Sequence, residues 1–301
     1  ILFNVFSGEV QAKELTNNHN KTITLDPTIS PAKNFDLTDW SLSLPVDTNK
    51  DGIADNVPEH YLARGLSVKP FFYTAKDGGM TFYAPISGPK TSKNTKYTRT
   101  ELREMLRKGD HRIKTKGISK NNWVLSSAKR KNRKKSGGVN GTLEATLAIN
   151  HVTTTGDKKQ VGRVIIGQIH ATKNEPVRLY YRKLPKHSKG AIYLAHEPVK
   201  GVEQWYDLIG THASNAEDTY QGIALNEVFS YRIQATGYLL TITIIRSGQE
   251  DVVQKVDMSE SGFDKNNQYM YFKAGVYNQN NTGESTDYVQ ATFYQLDNYH
   301  E

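Results

Sequence analysis

The chain has 301 residues, with 39 Lys and Arg against 31 Asp and Glu, so its formal net charge is +8 and its pI is about 9.3. It contains no cysteine, which excludes disulfides, thiol nucleophiles and cysteine-ligated metal sites. A mean hydropathy of −0.63, without a long apolar run, argues against a membrane-spanning chain. The cationic surplus favours an anionic partner, which could be nucleic acid, acidic polysaccharide or anionic lipid; the alternative is that it serves only solubility.

The first segment, residues 1–34, differs in composition and pattern from the rest of the chain. Residues 1–34 mix short apolar pieces with Asn, Thr and Pro and show no sustained period, so we predict an N-terminal arm or linker. From residue 35 onward, short runs of Val, Ile, Thr, Tyr and Phe alternate with Gly, Asn, Asp and Pro, which is typical of many strands. We therefore predict one main domain over residues 35–301. The chain starts with Ile1 rather than Met, which is compatible with removal of an export signal.

Two polar segments stand out by composition. Residues 47–55 resemble the first part of a calcium loop in their acidic spacing around Gly52, but the twelfth position, where an EF-hand needs Glu, is Pro58. We favour a polar turn there and keep calcium binding as the alternative. Residues 129–135 form a basic run that could be a localisation or nucleic-acid patch. We favour a solvated loop, with a polyanion contact as the second interpretation.

The β-rich runs that follow predict antiparallel pairing. The clearest hairpin joins residues 231–235 to residues 238–245 through the turn at Thr236 and Gly237. Further strands are predicted at residues 141–151, 163–170, 177–183, 269–279 and 289–296. The chain has neither a repeat of fixed period nor the strand and helix alternation of a parallel sheet. These patterns predict an all-β sandwich.

Two of these strands and a further segment, residues 97–104, place polar side chains on one face if each is a strand, because side chains alternate with period two. The polar face of residues 269–279 carries Tyr269, Tyr271, Lys273, Tyr277 and Gln279. In residues 97–104 the corresponding face carries Tyr97, Arg99, Glu101 and Arg103. We expect Glu101 to hold the two guanidiniums in place for a carboxylate ligand, although an exposed ladder of charges is an equal alternative.

The third segment, residues 163–170, is an apolar strand with a polar end. Period two places Gln168 and His170 on one face, and Ile165 and Ile169 on the other. Histidine is the side chain whose ordinary pKa suits proton transfer near neutrality, although a lone His is more often structural. Together the three polar faces suit the removal of a proton next to a carboxylate that cations and amides have neutralised.

These blocks also carry a family resemblance. RTELRE at 99–104, QIH at 168–170 and YFKAGVYNQ at 271–279 resemble, in order and spacing, the three signature blocks of the alginate lyases of polysaccharide lyase family 7. The resemblance covers the chain from about residue 35 to its end. It implies a β-jelly roll sandwich of two curved antiparallel sheets with a concave substrate groove. It also implies β-elimination at the 1,4-glycosidic bonds of alginate, which leaves an unsaturated non-reducing end, without a metal or an organic cofactor.

Carried over by position, the resemblance also assigns roles to single residues. Its catalytic set is Arg99, Gln168, His170 and Tyr277, and its substrate-binding set is Glu101, Arg103, Lys273, Gln279 and Tyr271. Arg99, Gln168 and His170 would neutralise the substrate carboxylate. Tyr277 would protonate O4, and either His170 or Tyr277 would be the base. We expect Lys273 to favour the phenolate form of Tyr277.

The block preference and the cellular context follow as further expectations. In this family, Ile at the centre of QIH, here Ile169, tends to accompany activity on guluronate, so we expect that preference, with a mannuronate-preferring or bifunctional lyase as the alternative. We expect a secreted or periplasmic bacterial monomer that binds acidic polysaccharide, and neither nucleic acid nor a membrane. Two rival hypotheses are a noncatalytic polysaccharide-binding module and, from the net charge and residues 129–135, a nucleic-acid binder.

Overall fold

Strands dominate the structure, a computed structural model that describes residues 14–16 and 22–301, with side chains from residue 24 onward. The strands are β1 Glu14–Thr16, β2 Thr22–Thr24, β3 Trp40–Ser43, β4 Asn56–Val57, β5 Phe72–Thr74, β6 Met80–Pro85, β7 Arg99–Glu104, β8 Trp123–Val124, β9 Gly138–Val139, β10 Gly141–His151, β11 Arg163–His170, β12 Val177–Arg182, β13 Lys189–His196, β14 Gln204–Ile209, β15 Ile223–Ala224, β16 Val228–Thr236, β17 Leu239–Ile245, β18 Val252–Asp257, β19 Tyr271–Asn278 and β20 Tyr288–Tyr299. The helices are α1 Pro31–Asn34, α2 Glu59–Ala63 and α3 Arg130–Lys135. Among the described residues, no helix has the length and apolar character that crossing a bilayer requires.

Two large antiparallel sheets make up the sandwich. The seven-stranded sheet has the order β18-β17-β16-β10-β20-β6-β5. The nine-stranded sheet has the order β14-β13-β12-β11-β19-β7-β3-β4, with β15 paired to β13. Strands β11, β19 and β7, which carry the three signature blocks, are direct neighbours in this sheet although they are far apart in sequence. The predicted all-β jelly-roll sandwich is confirmed.

The core lies between the two sheets and follows the period-two alternation. Leu102 and Phe272 of the nine-stranded sheet are fully buried in the same cluster as Phe82 and Phe293 of the seven-stranded sheet. The rings of Phe82 and Phe293 lie 5.1 Å apart, edge to face. Burying these apolar faces drives the association of the sheets, and it leaves the other face of β7, β11 and β19 free for polar side chains.

The predicted strands are largely confirmed. Residues 141–151 and 163–170 are strands β10 and β11 with the predicted bounds, and the other three predictions correspond to β12, β19 and β20 with shifted ends. The predicted hairpin is formed by β16 and β17, with its turn one residue later, at Gly237 and Tyr238. Gly237 has a φ of 61°, a left-handed conformation that glycine adopts without steric cost.

The expectation that Ile165 and Ile169 share a face was wrong. Ile169 lies in the main core, whereas Ile165 packs on the opposite side of the sheet with Tyr180, Tyr193 and Tyr277. The cause is an irregularity in the pairing of β11 between Ile165 and Gly167, which displaces the alternation by one residue. Gln168 and His170 therefore keep the predicted face, but the residues before the irregularity do not.

The two unusual polar segments differ in outcome. Residues 47–55 form a tight polar turn, in which Asp47 accepts hydrogen bonds from the backbone N–H groups of Asp51 at 3.0 Å and Gly52 at 2.9 Å. Residues 129–135 were predicted as a loop, which was wrong, because Arg130–Lys135 is the helix α3. The cations of this segment are nevertheless exposed, and only Asn132 is buried, since it faces the protein.

Within the predicted arm, residues 1–34, the structure describes residues 14–16 and 22–34. In the described part, β1 and β2 pair with each other as a two-stranded antiparallel sheet. Leu25 is buried in the main core, and the hydroxyl of Thr74 donates a 2.6 Å hydrogen bond to the carbonyl of Ile29. The end of this segment, next to the predicted boundary, therefore packs directly on the sandwich.

Candidate active site

The four predicted catalytic side chains line one pocket on the outer face of the nine-stranded sheet. The pocket has a volume of about 310 Å³, and its wall includes Arg99, Gln168, His170 and Tyr277. The strand register explains this convergence, because Tyr277 is paired with Arg99 across β19 and β7, and Gln168 is paired with Lys273 across β11 and β19. Three segments distant in sequence thus present their polar faces side by side.

Glu101 lies beneath the pocket and connects its polar residues. Its side chain is 2% exposed, and its carboxylate accepts a 2.8 Å hydrogen bond from Nη1 of Arg99. The same carboxylate accepts hydrogen bonds from Nζ of Lys273 and Nε2 of Gln168. With three donors satisfied, Glu101 fixes the orientation of the groups above it and is not itself open to a sugar.

The expectation that Glu101 holds Arg103 was wrong. The Arg103 guanidinium lies 4.0 Å from the ring centre of Tyr271 and donates to the carbonyl of Thr115 at 3.1 Å. Lys273 takes the second place at Glu101 instead. Gly275, directly opposite Glu101 on β19, has no side chain, so the ammonium of Lys273 can reach the carboxylate diagonally.

Two cations therefore share a single buried carboxylate. Burial opposes ionisation of Glu101, but Lys273 and Arg99 hold its pKa below the ordinary value, so it stays charged. Burial, assisted by the neighbouring Arg99, lowers the pKa of Lys273 to about 8. At neutral pH this cluster of Arg99, Glu101 and Lys273 carries one surplus positive charge next to the pocket, which suits a carboxylate ligand.

Tyr277 is a neutral phenol with a cation on its ring. The guanidinium carbon of Arg99 lies 3.5 Å from the ring centre, and burial raises the pKa of Tyr277 more than Arg99 lowers it. The expectation that Lys273 would favour the phenolate was wrong, because Arg99 is the cation in contact and the net shift is upward. Tyr277 therefore holds its proton at neutral pH and can donate it.

His170 is a neutral imidazole in a defined orientation. Nδ1 lies 2.5 Å from the backbone carbonyl of Ala171, and the ring stacks on Tyr271 with 5.0 Å between the centres. Burial, followed by the charge of Lys273, lowers the pKa of His170 to about 4. Since a carbonyl only accepts, Nδ1 carries the hydrogen and Nε2 carries the lone pair, which is what a general base requires.

The predicted substrate-binding residues do not all line the pocket. Gln279 is part of its wall, whereas Glu101 and Lys273 lie below it, with Lys273 only 8% exposed at its side chain. Arg103 and Tyr271 form a stacked pair beside His170. Neither Arg103 nor Tyr271 lines the pocket, so their predicted contact with a neighbouring sugar stays a prediction, and the two buried residues contact the pocket only through their partners.

Sequence reasoning missed other residues that form the pocket wall. Glu175 and Arg178 belong to it, as do residues 94–96, which precede the predicted Tyr97. Glu175 lies in the short connection between β11 and β12, which folds back so that its carboxylate reaches His170. The close spacing of two predicted strands was the available signal, since a hairpin returns the chain to the end of its first strand.

A second pocket lacks this chemistry, and no metal cluster offers an alternative in the described residues. A larger pocket, of about 570 Å³, lies beside the seven-stranded sheet with Tyr73, Lys76 and Asn150 in its wall, and it contains none of the predicted catalytic residues. Across the described part of the chain, no group of three or more His, Asp or Glu side chains is placed to hold a metal ion. Of these two pockets, the 310 Å³ pocket is the one lined by a neutral imidazole, a neutral phenol and a guanidinium.

Comparison with known proteins supports the family resemblance of the three signature blocks. A family model described as alginate lyase matches residues 35–300. An alginate lyase of Klebsiella pneumoniae is 61% identical over 276 residues, which are 89% of this chain and 90% of that protein. A crystal structure of the alginate lyase from Klebsiella pneumoniae superposes with a TM-score of 0.90 and 60% identity, over 90% of this chain and 99% of that one. The family 7 alginate lyase A1-II′, crystallised with a product, GGG, has a TM-score of 0.65 and 25% identity, over 91% of this chain and all (100%) of that one.

Proposed function

The chain belongs to the alginate lyases of polysaccharide lyase family 7, and we propose that it cleaves alginate by β-elimination in the pocket lined by Arg99, Gln168, His170 and Tyr277. The family and the lyase activity predicted from the sequence are confirmed by these relatives. The observation that carries the assignment of the site is the presence of a neutral imidazole and a neutral phenol beside a cationic cluster.

The first task of the site is to make the C5 proton of a uronate acidic. Loss of this proton places negative charge next to a carboxylate that is already negative, so donors must neutralise that carboxylate. Arg99 and Gln168 face the pocket and are held by Glu101, which fixes their positions before substrate arrives. Because these donors are fixed, they need little reorganisation as charge develops.

The second task is proton transfer on both sides of the breaking bond. Nε2 of His170 takes the C5 proton, the C–H electron pair forms the C4–C5 double bond, and the C4–O4 bond breaks. The hydroxyl of Tyr277 donates its proton to O4, which leaves as the new chain end. The neutral states of His170 and Tyr277 near pH 7 support these roles, because the base is unprotonated and the acid is protonated before the reaction.

We propose that the preferred substrate is guluronate-containing alginate. In guluronate the proton and the leaving group lie on opposite faces of the sugar, so elimination needs a separate base and acid. His170 on β11 and Tyr277 on β19 can supply them from different strands. The product GGG bound to the related lyase A1-II′ is consistent with this preference. A mannuronate-preferring or bifunctional enzyme is the alternative.

The experiment is product analysis on defined substrates. Purified protein is incubated with polyguluronate, polymannuronate and mixed alginate, and the ultraviolet absorbance of the unsaturated end is followed. We expect the highest kcat/KM on polyguluronate. Equal or higher values on polymannuronate would contradict the preference alone, whereas binding without product on all three substrates would favour a noncatalytic binding module.

We also infer that the enzyme acts outside the cytoplasm, because a polymeric, highly charged substrate does not cross a bilayer unaided. The +8 net charge of the chain supports the capture of such a polyanion. Fractionation of producing cells tests this, and activity confined to the cytoplasm would contradict it.

A further inference from the structure

A carboxylate outside the three signature blocks contacts the imidazole of the active site. Oε1 of Glu175 lies 3.1 Å from Nε2 of His170. The side chains of the pair are 16% and 24% exposed, so the contact is largely shielded from water. We propose that Glu175 is a positioning residue that controls access to the lone pair of His170 Nε2 and takes up the proton that this nitrogen removes from the substrate.

The hydrogen bonds of His170 define what Glu175 can do. Nδ1 faces the carbonyl of Ala171 at 2.5 Å and must be the donor there. In the neutral ring, Nε2 is then an acceptor. A carboxylate oxygen 3.1 Å from an acceptor nitrogen forms a hydrogen bond only if one of the two holds a proton. His170 and Glu175 therefore share one proton site, which lies where the base must act.

The groups around Glu175 favour its protonated form. Arg178 on β12 lies 4.0 Å from Glu175 and 3.9 Å from Glu197, and it contacts Glu203 most closely. One guanidinium thus faces three carboxylates, and Lys273 on β19 is the other cation that acts on Glu175. Burial and the neighbouring Glu197 raise the pKa of Glu175 to about 7.

His170 has charged neighbours of its own on the adjacent strands. Lys273 on β19 and Arg99 on β7 oppose its protonation, while Glu101 on β7 favours it. Burial is the largest effect and keeps the imidazole neutral over the range in which Glu175 titrates. The proton of the pair therefore resides on the carboxyl group below about pH 7.

The two protonation states of Glu175 have opposite effects on catalysis, given the proposed role of His170 as base. When Glu175 is protonated, its O–H donates to Nε2 and occupies the lone pair. When Glu175 is ionised, the lone pair is free, and the carboxylate stabilises the imidazolium that forms when Nε2 takes the C5 proton. The proton then moves from Nε2 to the Glu175 carboxylate and from there to water, while Tyr277 regains its proton from water.

The test is the pH dependence of kcat/KM on polyguluronate for the wild type and for Glu175→Gln. In Glu175→Gln the amide donates to Nε2 at every pH. We expect kcat to fall about 100-fold at pH 8, with KM within about 2-fold of the wild-type value, and the inflection near pH 7 to vanish. The matched control is Glu197→Gln, which removes a carboxylate of the same cluster that does not contact His170. It should keep most of the activity and still show an inflection, displaced to lower pH because Glu197 helps to raise the pKa of Glu175.

Glu175→Ala separates this role from a structural one. Without a donor on Nε2, this variant should be more active than Glu175→Gln, and it should also lack the inflection near pH 7. Thermal unfolding of each variant shows whether it is folded. A folded Glu175→Gln with the wild-type pH profile would overturn the inference, and so would a Glu175→Ala that is less active than Glu175→Gln. Neither outcome touches the proposed function, which fails only if the wild type yields no unsaturated product.

Discussion

The guanidinium carbon of Arg99 lies 3.5 Å from the centre of the Tyr277 ring, while Nη1 of the same side chain is 2.8 Å from Glu101. One cation thus contacts both the proposed acid and the buried carboxylate that fixes it. Because the guanidinium is held on two sides, the phenol has a defined orientation before substrate binds. Removing the phenolic oxygen should therefore affect chemistry far more than binding.

For Tyr277→Phe we expect kcat on alginate to fall about 100-fold or more, because general acid catalysis is typically worth that much. The ring remains, so the contact with Arg99 and the affinity for alginate should be nearly unchanged. Product absorbance measures kcat, and isothermal titration with an alginate oligomer measures Kd. Tyr97→Phe is a suitable control, since Tyr97 lies 6.2 Å from Tyr277, ring centre to ring centre, in the same pocket. Substantial residual turnover would mean that another residue protonates O4.

The buried ammonium of Lys273 predicts a weakening of substrate binding at alkaline pH. Burial and Arg99 place the pKa of Lys273 at about 8, so above this pH the cluster with Glu101 loses its surplus positive charge. We expect KM to rise above about pH 8 while the wild type remains folded. In Lys273→Met, KM should be high at all pH values and lack this rise. A rise in KM that persists in Lys273→Met would assign the effect to another group.

A second buried pair links stability to pH. Nε2 of His300 lies 2.7 Å from Glu104, and Nδ1 lies 2.7 Å from the carbonyl of Asn140, so both ring nitrogens donate. Burial alone would lower the pKa of His300, but Glu104 raises it overall. A raised pKa contributes stability that is fully present below the ordinary value of 6.5 and is lost as the pH rises through the folded value.

We therefore expect the wild-type Tm to fall as the pH rises above about 6.5, and to fall less steeply in His300→Gln. Differential scanning fluorimetry across this range measures the slope. His212→Gln is the matched control, because His212 also pairs with a carboxylate, Asp207, but its side chain is 44% exposed. The control should keep the wild-type slope. Identical slopes in the wild type and His300→Gln would contradict the assignment.

The basic segment should assist capture of the polymer. The cations of α3 are exposed. At the end of this helix, the carbonyl of Ser136 accepts a 2.6 Å hydrogen bond from Lys120. Lys120 lies in the same loop as Thr115, whose carbonyl accepts a hydrogen bond from Arg103. For the triple variant Lys131, Lys134 and Lys135→Gln, we expect KM for polymeric alginate to rise about 3-fold to 10-fold at low ionic strength. The effect should shrink at high salt and be small for a trisaccharide.

The control for this charge change is a second triple variant, Lys33, Lys76 and Lys255→Gln, which removes the same charge from other exposed positions. It should change KM much less. Equal effects of the two variants would mean that only net charge matters, and α3 would then have no specific role.

Period two was sufficient to place Lys273, Tyr277 and Gln168 on one face, because a strand fixes the side of each side chain. The alternation failed at Ile165, because the irregularity in strand pairing between Ile165 and Gly167 displaces it by one residue. No residue pattern in the sequence indicated this irregularity. The partner of Glu101 was also mispredicted. That choice depends on Gly275 across the sheet, and strand register is a tertiary property that a single segment does not contain.

Glu175 illustrates a second limit of sequence-based prediction. It lies in a connection rather than in a strand, so neither alternation nor a signature block singles it out. Only the return of the chain into β12 brings it to His170. The residues carried by regular strands were therefore predictable, whereas those whose position depends on a loop or on a neighbouring strand were not.

The surplus positive charge of the cluster of Arg99, Glu101 and Lys273 has a consequence for product release. β-Elimination breaks the C4–O4 bond and leaves the carboxylate of the cleaved sugar intact. The shortened chain consequently retains the group that this surplus positive charge attracts. We therefore expect released oligomers to compete with intact polymer for the same cation, so that turnover slows as they accumulate and recovers where they diffuse away.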